Sequence, residues 1–303
     1  MDRNLIPSWI TSLSLAICIG TPAAADSFFF STGNPDGLLG TASRQASPGK
    51  LETETADDFI LAQQTLITQA TFTGLLPSGT PLSDISNVEI EIYHVFPTDS
   101  VDPPSGNVFT RMNSPADVEI GSATRDGLAG DLSFGSAILS PTFHVNNTVV
   151  NGINKFPNQF TGGEGSTTGQ EVLITVDFIT PILLDPDHYF FRPEVLLSSG
   201  DFLWLSAPKP IVSPGMPFSP DLQSWTRNTD LKPDWSRIGT DITGQGPFNA
   251  TFSLSGETVP EPSSLPLLGT ALLVLAGWGR KQLTNGWGWG PVQHNTQPRG
   301  GKE

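Results

Sequence analysis

Glu89 and Glu91 stand two residues apart in Val88-Glu89-Ile90-Glu91-Ile92. In an extended strand that spacing puts both carboxyls on one side, about 7 Å apart. Paired carboxyls are what glycoside hydrolysis requires. A strand with one wet outer face gives the same pattern, and the next same-side residue is Tyr93, not a third acid. Oxygen-rich turns suit Ca²⁺, a hard cation that takes six to eight oxygens. Asp57-Asp58, with Glu52 and Glu54, and Asp185-Pro186-Asp187 are the places that could hold it, or they are solvated turn carboxylates; neither matches an EF-hand loop. Sugars stack on aromatic faces, and Trp225 and Trp235 lie among Arg227, Asp230, Asp234 and Arg237, where they could line a glycan groove or pin a long loop to the body. Trp204, in Phe202-Leu203-Trp204-Leu205, reads as core. His94, His144, His188 and His294 are dispersed, and no nucleophile elbow, zinc-protease helix, phosphate loop or dinucleotide fingerprint is present. The chain thus presents no catalytic signature and implies no cofactor beyond Ca²⁺.

The elements that must carry these residues are strands. In Val88 to Ile92 aliphatic and acidic residues alternate with period two, and the pattern recurs in Glu171 to Phe178 and Phe248 to Leu254. Apolar runs at Phe59 to Leu61, Leu66 to Phe72, Tyr189 to Phe191 and Phe202 to Leu205 are bounded by turn-forming residues. The 31 glycines and 27 prolines are scattered between such runs. Many short strands with turn punctuation predict an all-β, antiparallel β-sandwich of jelly-roll type over residues 26–257. Thr161 to Gly169 and Pro208 to Pro220 are its expected long loops.

The ends of the chain have a different composition. Arg3, the apolar Leu13, Leu15, Ile17 and Ile19, and Thr21-Pro22-Ala23-Ala24-Ala25 form a signal-peptide pattern over residues 1–25, a signal helix with small residues Ala23 and Ala25 placing cleavage before Asp26. The one cysteine, Cys18, lies inside that segment after the bulky Ile17, which does not suit a lipid-attachment site. The mature chain therefore has no thiol, and disulfides and thiolate metal sites are excluded. At the other end, Val259-Pro260-Glu261-Pro262 precedes an apolar run from Leu265 to Trp278 and the basic pair Arg280-Lys281. As a helix those 14 residues would span about 21 Å, marginal against a bilayer core of about 30 Å. Residues 282–303, with Gly286-Trp287-Gly288-Trp289-Gly290, read as a disordered tail.

Charge divides the same way. The net −15 resolves into +3 on residues 263–303 and −18 on the stretch between the signal region and that tail. So acidic a body repels phosphate backbones, which argues against nucleic acid as a partner.

Residues 258–281 resemble the PEP-CTERM sorting signal of Gram-negative, exopolysaccharide-producing bacteria. The resemblance implies export, a temporary membrane anchor formed by a short transmembrane helix, and processing by a membrane-embedded exosortase. It departs from the pattern in having only Arg280-Lys281 as its basic stop and 22 further residues after it. Glu52 to Phe59 and Asp187 to Phe191 resemble β-sandwich domains that precede such tails in other sorted proteins and have no assigned activity. Together these imply a protein of the cell envelope, outer surface or extracellular matrix, its body a non-catalytic module associated with exopolysaccharide or adhesion. The alternative is a secreted carbohydrate-active enzyme of β-sandwich type.

Overall fold

A computed structural model describes residues 25–103, 105–153 and 160–260. The expected signal helix, with Ala23, lies outside the described residues, as do Glu261, Pro262, the C-terminal apolar run, Arg280, Lys281 and the tail. Among the described residues no helix is long and apolar enough to cross a membrane. Ala25–Val259 forms one compact unit.

The strands in chain order are β1 (Ser27–Ser31), β2 (Leu39–Ala42), β3 (Thr53–Ile60), β4 (Thr65–Pro77), β5 (Ile85–His94), β6 (Arg125–Asp126), β7 (Leu132–Val145), β8 (Asn147–Val149), β9 (Thr167–Leu184), β10 (His188–Leu197), β11 (Leu203–Ala207), β12 (Trp225–Asn228), β13 (Ser236–Arg237), β14 (Asn249–Ala250) and β15 (Phe252–Thr258). They form two mostly antiparallel sheets, a β-sandwich. Sheet one runs β1-β15-β4-β11-β2-β8, with β14 on β11, β9 against β4 and β7 beyond β9; sheet two runs β13-β12-β3-β10-β5-β6. The one parallel pair is β2 with β8.

Alternation produces this arrangement. Val172, Ile174, Val176 and Phe178 of β9 and Val88, Ile90 and Ile92 of β5 are all buried in a single core between the sheets. Phe191 and Phe252 stack there at 5.0 Å, and Trp204 meets Phe252 at 6.0 Å, with its indole N–H donating 2.7 Å to Thr251 O. Gly74 of β4 allows this packing, because a Cβ there would collide with the Phe202 ring. Thr161 to Gly169, expected as a loop, becomes strand from Thr167 onward.

The chain ends close the sheet. β1 pairs with β15 from Ser27 opposite Glu257 to Ser31 opposite Ser253, and Phe30 plugs the core against Phe59 and Phe252. Thr258 N donates to Asp26 O at 2.8 Å, and Val259 N to Gln64 O at 2.7 Å. Asp26 N returns a 3.2 Å bond to Thr258 Oγ1.

Candidate functional site

The face of sheet two that points away from the core carries most of the body's charge chemistry. Antiparallel register places Arg192 of β10 opposite Glu91 of β5, Glu194 opposite Glu89, and Glu89 opposite Asp126 of β6. On the other flank Arg227 of β12 stands opposite Glu54 of β3. Arg192 lies 3.0 Å from Glu91, 3.1 Å from Glu194, 3.5 Å from Glu52 and 3.7 Å from Glu54. Arg227 Nε donates to Glu54 Oε2 at 2.6 Å, and Lys232 Nζ reaches Glu54 Oε1 at 2.5 Å and Glu52 Oε2 at 3.1 Å. Tyr93 OH donates to Glu91 Oε2 at 2.5 Å while accepting from Arg227 Nη2 at 3.1 Å.

This face is largely covered: against the expectation of a wet outer face Glu91 is buried, while Glu89 stays half-exposed at its rim. Segments remote in sequence fold across it. Trp235 packs edge-on against Tyr93 at 5.5 Å, lies 4.2 Å from the Arg227 guanidinium and donates its indole N–H to Ala116 O at 3.0 Å. Arg111, itself buried, ties Asp117 to Asp234 above it. Glu91 is 7% exposed as a result, and Glu194 1%.

Burial and charge then pull the carboxyls apart. Burial alone would raise Glu54, but Arg192, Arg227 and Lys232 together hold it down at about 2. Burial pushes Glu89 up to about 7, opposed by Arg192 and reinforced by Glu91 and Asp126. Burial likewise lifts Glu194 far above the carboxylate range, against the pull of Arg192 and with the push of Glu54, Glu52 and Glu89. Across this network carboxylates outnumber cations, which is why the two acids least compensated by arginine are pushed upward.

An acid titrating near 7 beside a second carboxylate is the electrostatic pattern of a glycosidase pair. The contacts tie both carboxyls into the charge network of this face. Glu91, which would have to act as base or nucleophile, is held by both Tyr93 and Arg192, and Glu89 accepts a 3.0 Å bond from Gln45 Nε2 at the rim.

The remaining sequence candidates are dispersed. Trp225 and Trp235 do not line a groove: both are fully buried, and of the charges around them Arg227 and Asp234 are drawn inside as ion pairs while Asp230 stays exposed. Asp57 and Asp58, consecutive on β3, point to opposite faces. Asp57 accepts from Ser224 Oγ at 2.9 Å and Ala250 N at 2.8 Å, and burial, with the Asp58 charge, pushes it well above its ordinary value. Asp58 pairs with His188 Nε2 at 2.6 Å and accepts from Leu222 N at 2.9 Å. Asp185 accepts from Gln64 at 2.7 Å, and Asp187 lies 3.4 Å from His94. The four aspartates expected around Ca²⁺ thus do not converge, and among the described residues no group of three or more His, Cys, Asp or Glu is disposed to hold a metal ion.

The outer face of sheet one, which sequence reasoning passed over, is open. Phe29 (54% exposed), Leu139 and Leu173 border a cleft of about 460 Å³ floored by Thr71, Thr73 and Ser253. A second cleft, of about 350 Å³, lies by Arg44 and Lys50, which both pair with Asp201.

Past β15 the folded body ends at Val259, half-buried, with Thr258 bonded to Asp26 and Val259 to Gln64. The family model of the PEP-CTERM protein-sorting motif matches residues 258–281. The chain carries a PEP-CTERM signal. Its match begins at Thr258, the last residue of β15, so the PEP-CTERM signal starts inside the folded body and leaves it beside the expected mature amino terminus. No curated protein and no solved structure matches the chain. The PEP-CTERM signal implies an exported protein, sorted to the envelope of a Gram-negative bacterium and processed by an exosortase.

Proposed function

We propose that the body, a sandwich of jelly-roll type, is a non-catalytic surface or matrix module that holds extracellular polysaccharide through the open face of sheet one, while the PEP-CTERM segment serves as a temporary membrane anchor. The observation that carries the reading is the cleft bordered by Phe29, Leu139 and Leu173 over a floor of threonine and serine hydroxyls. Pyranose rings present apolar faces and hydroxyl edges together, and such a cleft offers a partner to each. It lies on a body of strongly negative charge, and Glu171 is the one ionisable group on its wall.

The experiment is retention of purified exopolysaccharide by the exported full chain, compared with Phe29→Ala and Leu173→Ala. Loss of retention in both, with folding unchanged, supports the reading; undiminished retention overturns it. Glu89, held at about 7 beside Glu91, favours the alternative of a carbohydrate-active enzyme. Release of sugar that disappears in Glu89→Gln would establish that alternative. Sorting is tested separately by replacing Pro260-Glu261-Pro262 and comparing membrane, surface and medium fractions; unchanged processing would remove the exosortase from the account.

A further inference from the structure

The edges of the two sheets are unequal. Sheet two ends in β6 and β13, each two residues long, which carry Arg125, Asp126 and Arg237. Sheet one ends on one side in the five-residue β1, flanked by Asp26. Short strands and charges are the usual protection of an edge against pairing with another chain. β7 has neither. It is 14 residues long, contains no Asp, Glu, Lys or Arg, and among the described residues pairs only with β9.

Its side chains are equally unprotected. Leu132, Phe134, Ser136 and Ile138 point to the core side of sheet one, opposite Phe178, Val176, Ile174 and Val172 of β9. Leu132 is buried and Phe134 is packed against the core, but Ile138 is 45% exposed, because sheet two has run out at β6 before reaching that end of the strand. Register shifts at Ile138/Ser140 and Ser140/Phe143 leave Leu132 to Ile138 as the regular stretch.

We propose that β7 is a self-association edge, pairing antiparallel with β7 of a second copy about a two-fold axis through Gly135. Antiparallel pairing of a strand with itself is closed and isologous. Centred on Gly135, it sets Leu132 opposite the second copy's Ile138, an aliphatic pair on the core side, and Phe134 opposite its small Ser136, which leaves room for the ring. Charge selects the same occupant. A copy is the one partner sure to present an uncharged strand, and the uncharged edge lets two strongly acidic bodies meet without opposing carboxylates at the contact. β7 lies at the opposite edge of sheet one from β1 and β15, so the pairing leaves the terminal pole with the PEP-CTERM exit free. The proposal is independent of what the cleft binds.

The test uses the exported full chain in a Cys18→Ala background, which leaves no native thiol. Gly135→Cys has open space for its side chain and adds one thiol on the axis. A short thiol crosslinker applied to intact cells is expected to give a dimer with Gly135→Cys and none with Ser27→Cys on the β1 edge. Adding Ser133→Lys and Ala137→Lys together sets lysines directly opposite one another across the two-fold, on the exposed face of the strand where the monomer packs nothing, and is expected to lower the crosslinked fraction at least ten-fold. A monomeric Gly135→Cys, equal crosslinking at Ser27→Cys, or crosslinking indifferent to both lysines overturns the proposal.

Discussion

The outer faces of the two sheets take opposite routes from similar backbones. On sheet two the residues pointing outward are Glu54, Glu89, Glu91, Arg192, Glu194 and Arg227, and the chain covers them, so that charge is organised internally and presents little to solvent. On sheet one they include Phe29, Thr71, Leu173 and Ser253, and the chain leaves Phe29 exposed and the others half-exposed along the cleft. The charged face is covered and the neutral one is more open. A buried ion pair contributes less net stability than its contacts suggest, since desolvation offsets most of the attraction; breaking one partner is what costs. The covered face is therefore rigid and intolerant, the open face replaceable residue by residue.

That contrast breaks most sharply at Arg192. Arg192→Ala strands Glu54, Glu91 and Glu194 without their shared cation and should destabilise the body by about 3–5 kcal/mol, measured by denaturant unfolding of the exported chain. Trp235→Ala removes the lid over Tyr93 and Arg227 and should cost about 3–4 kcal/mol, yet leave polysaccharide retention per folded molecule unchanged. Glu89→Gln should act in the opposite direction. Its folded-state value near 7 exceeds the unfolded 4.5, so the native state binds the extra proton, and stability falls as pH rises from about 4.5 to about 7. The substitution should flatten that slope and stabilise the body above pH 7 by about 1 kcal/mol, the figure being reduced for screening at the half-exposed rim. At the small end, Phe29→Ala on the open face should change stability by less than about 0.5 kcal/mol. Its effect should appear in retention alone, and a stability loss as large as that of Trp235→Ala would erase the distinction between the faces.

The strand pattern was readable because period-two alternation is a local property. Val88 to Ile92 lies within β5 and Glu171 to Phe178 within β9. Which polar face would be wet was not readable, because the lid over Glu91 comes from Ala116, Asp117 and Trp235, far away in sequence. The tryptophans divide for the same reason. Trp204, among Phe202, Leu203 and Leu205, is in the core its neighbours announce. Trp225 and Trp235 sit among charges that ordinarily mean solvent, and here two of them, Arg227 and Asp234, are buried in ion pairs. The open cleft left little trace, since its floor is built of single threonines and serines from strands distant in the chain. β7, mixing Gly, Ser and Pro with scattered apolar residues, has too weak an alternation to announce a strand.

The pairing of β1 with β15 bears on when this protein can become itself. Its first strand has no hydrogen-bonded neighbour in the sheet except the last one synthesised, more than 200 residues later. A ribosome releasing the chain in order, and a translocon passing it amino end first, both hold these partners apart until the passage is nearly over. Completion of the sandwich therefore waits for the stretch that leads into the PEP-CTERM segment, and the order of its own strands keeps the fold unfinished until the chain has nearly all emerged.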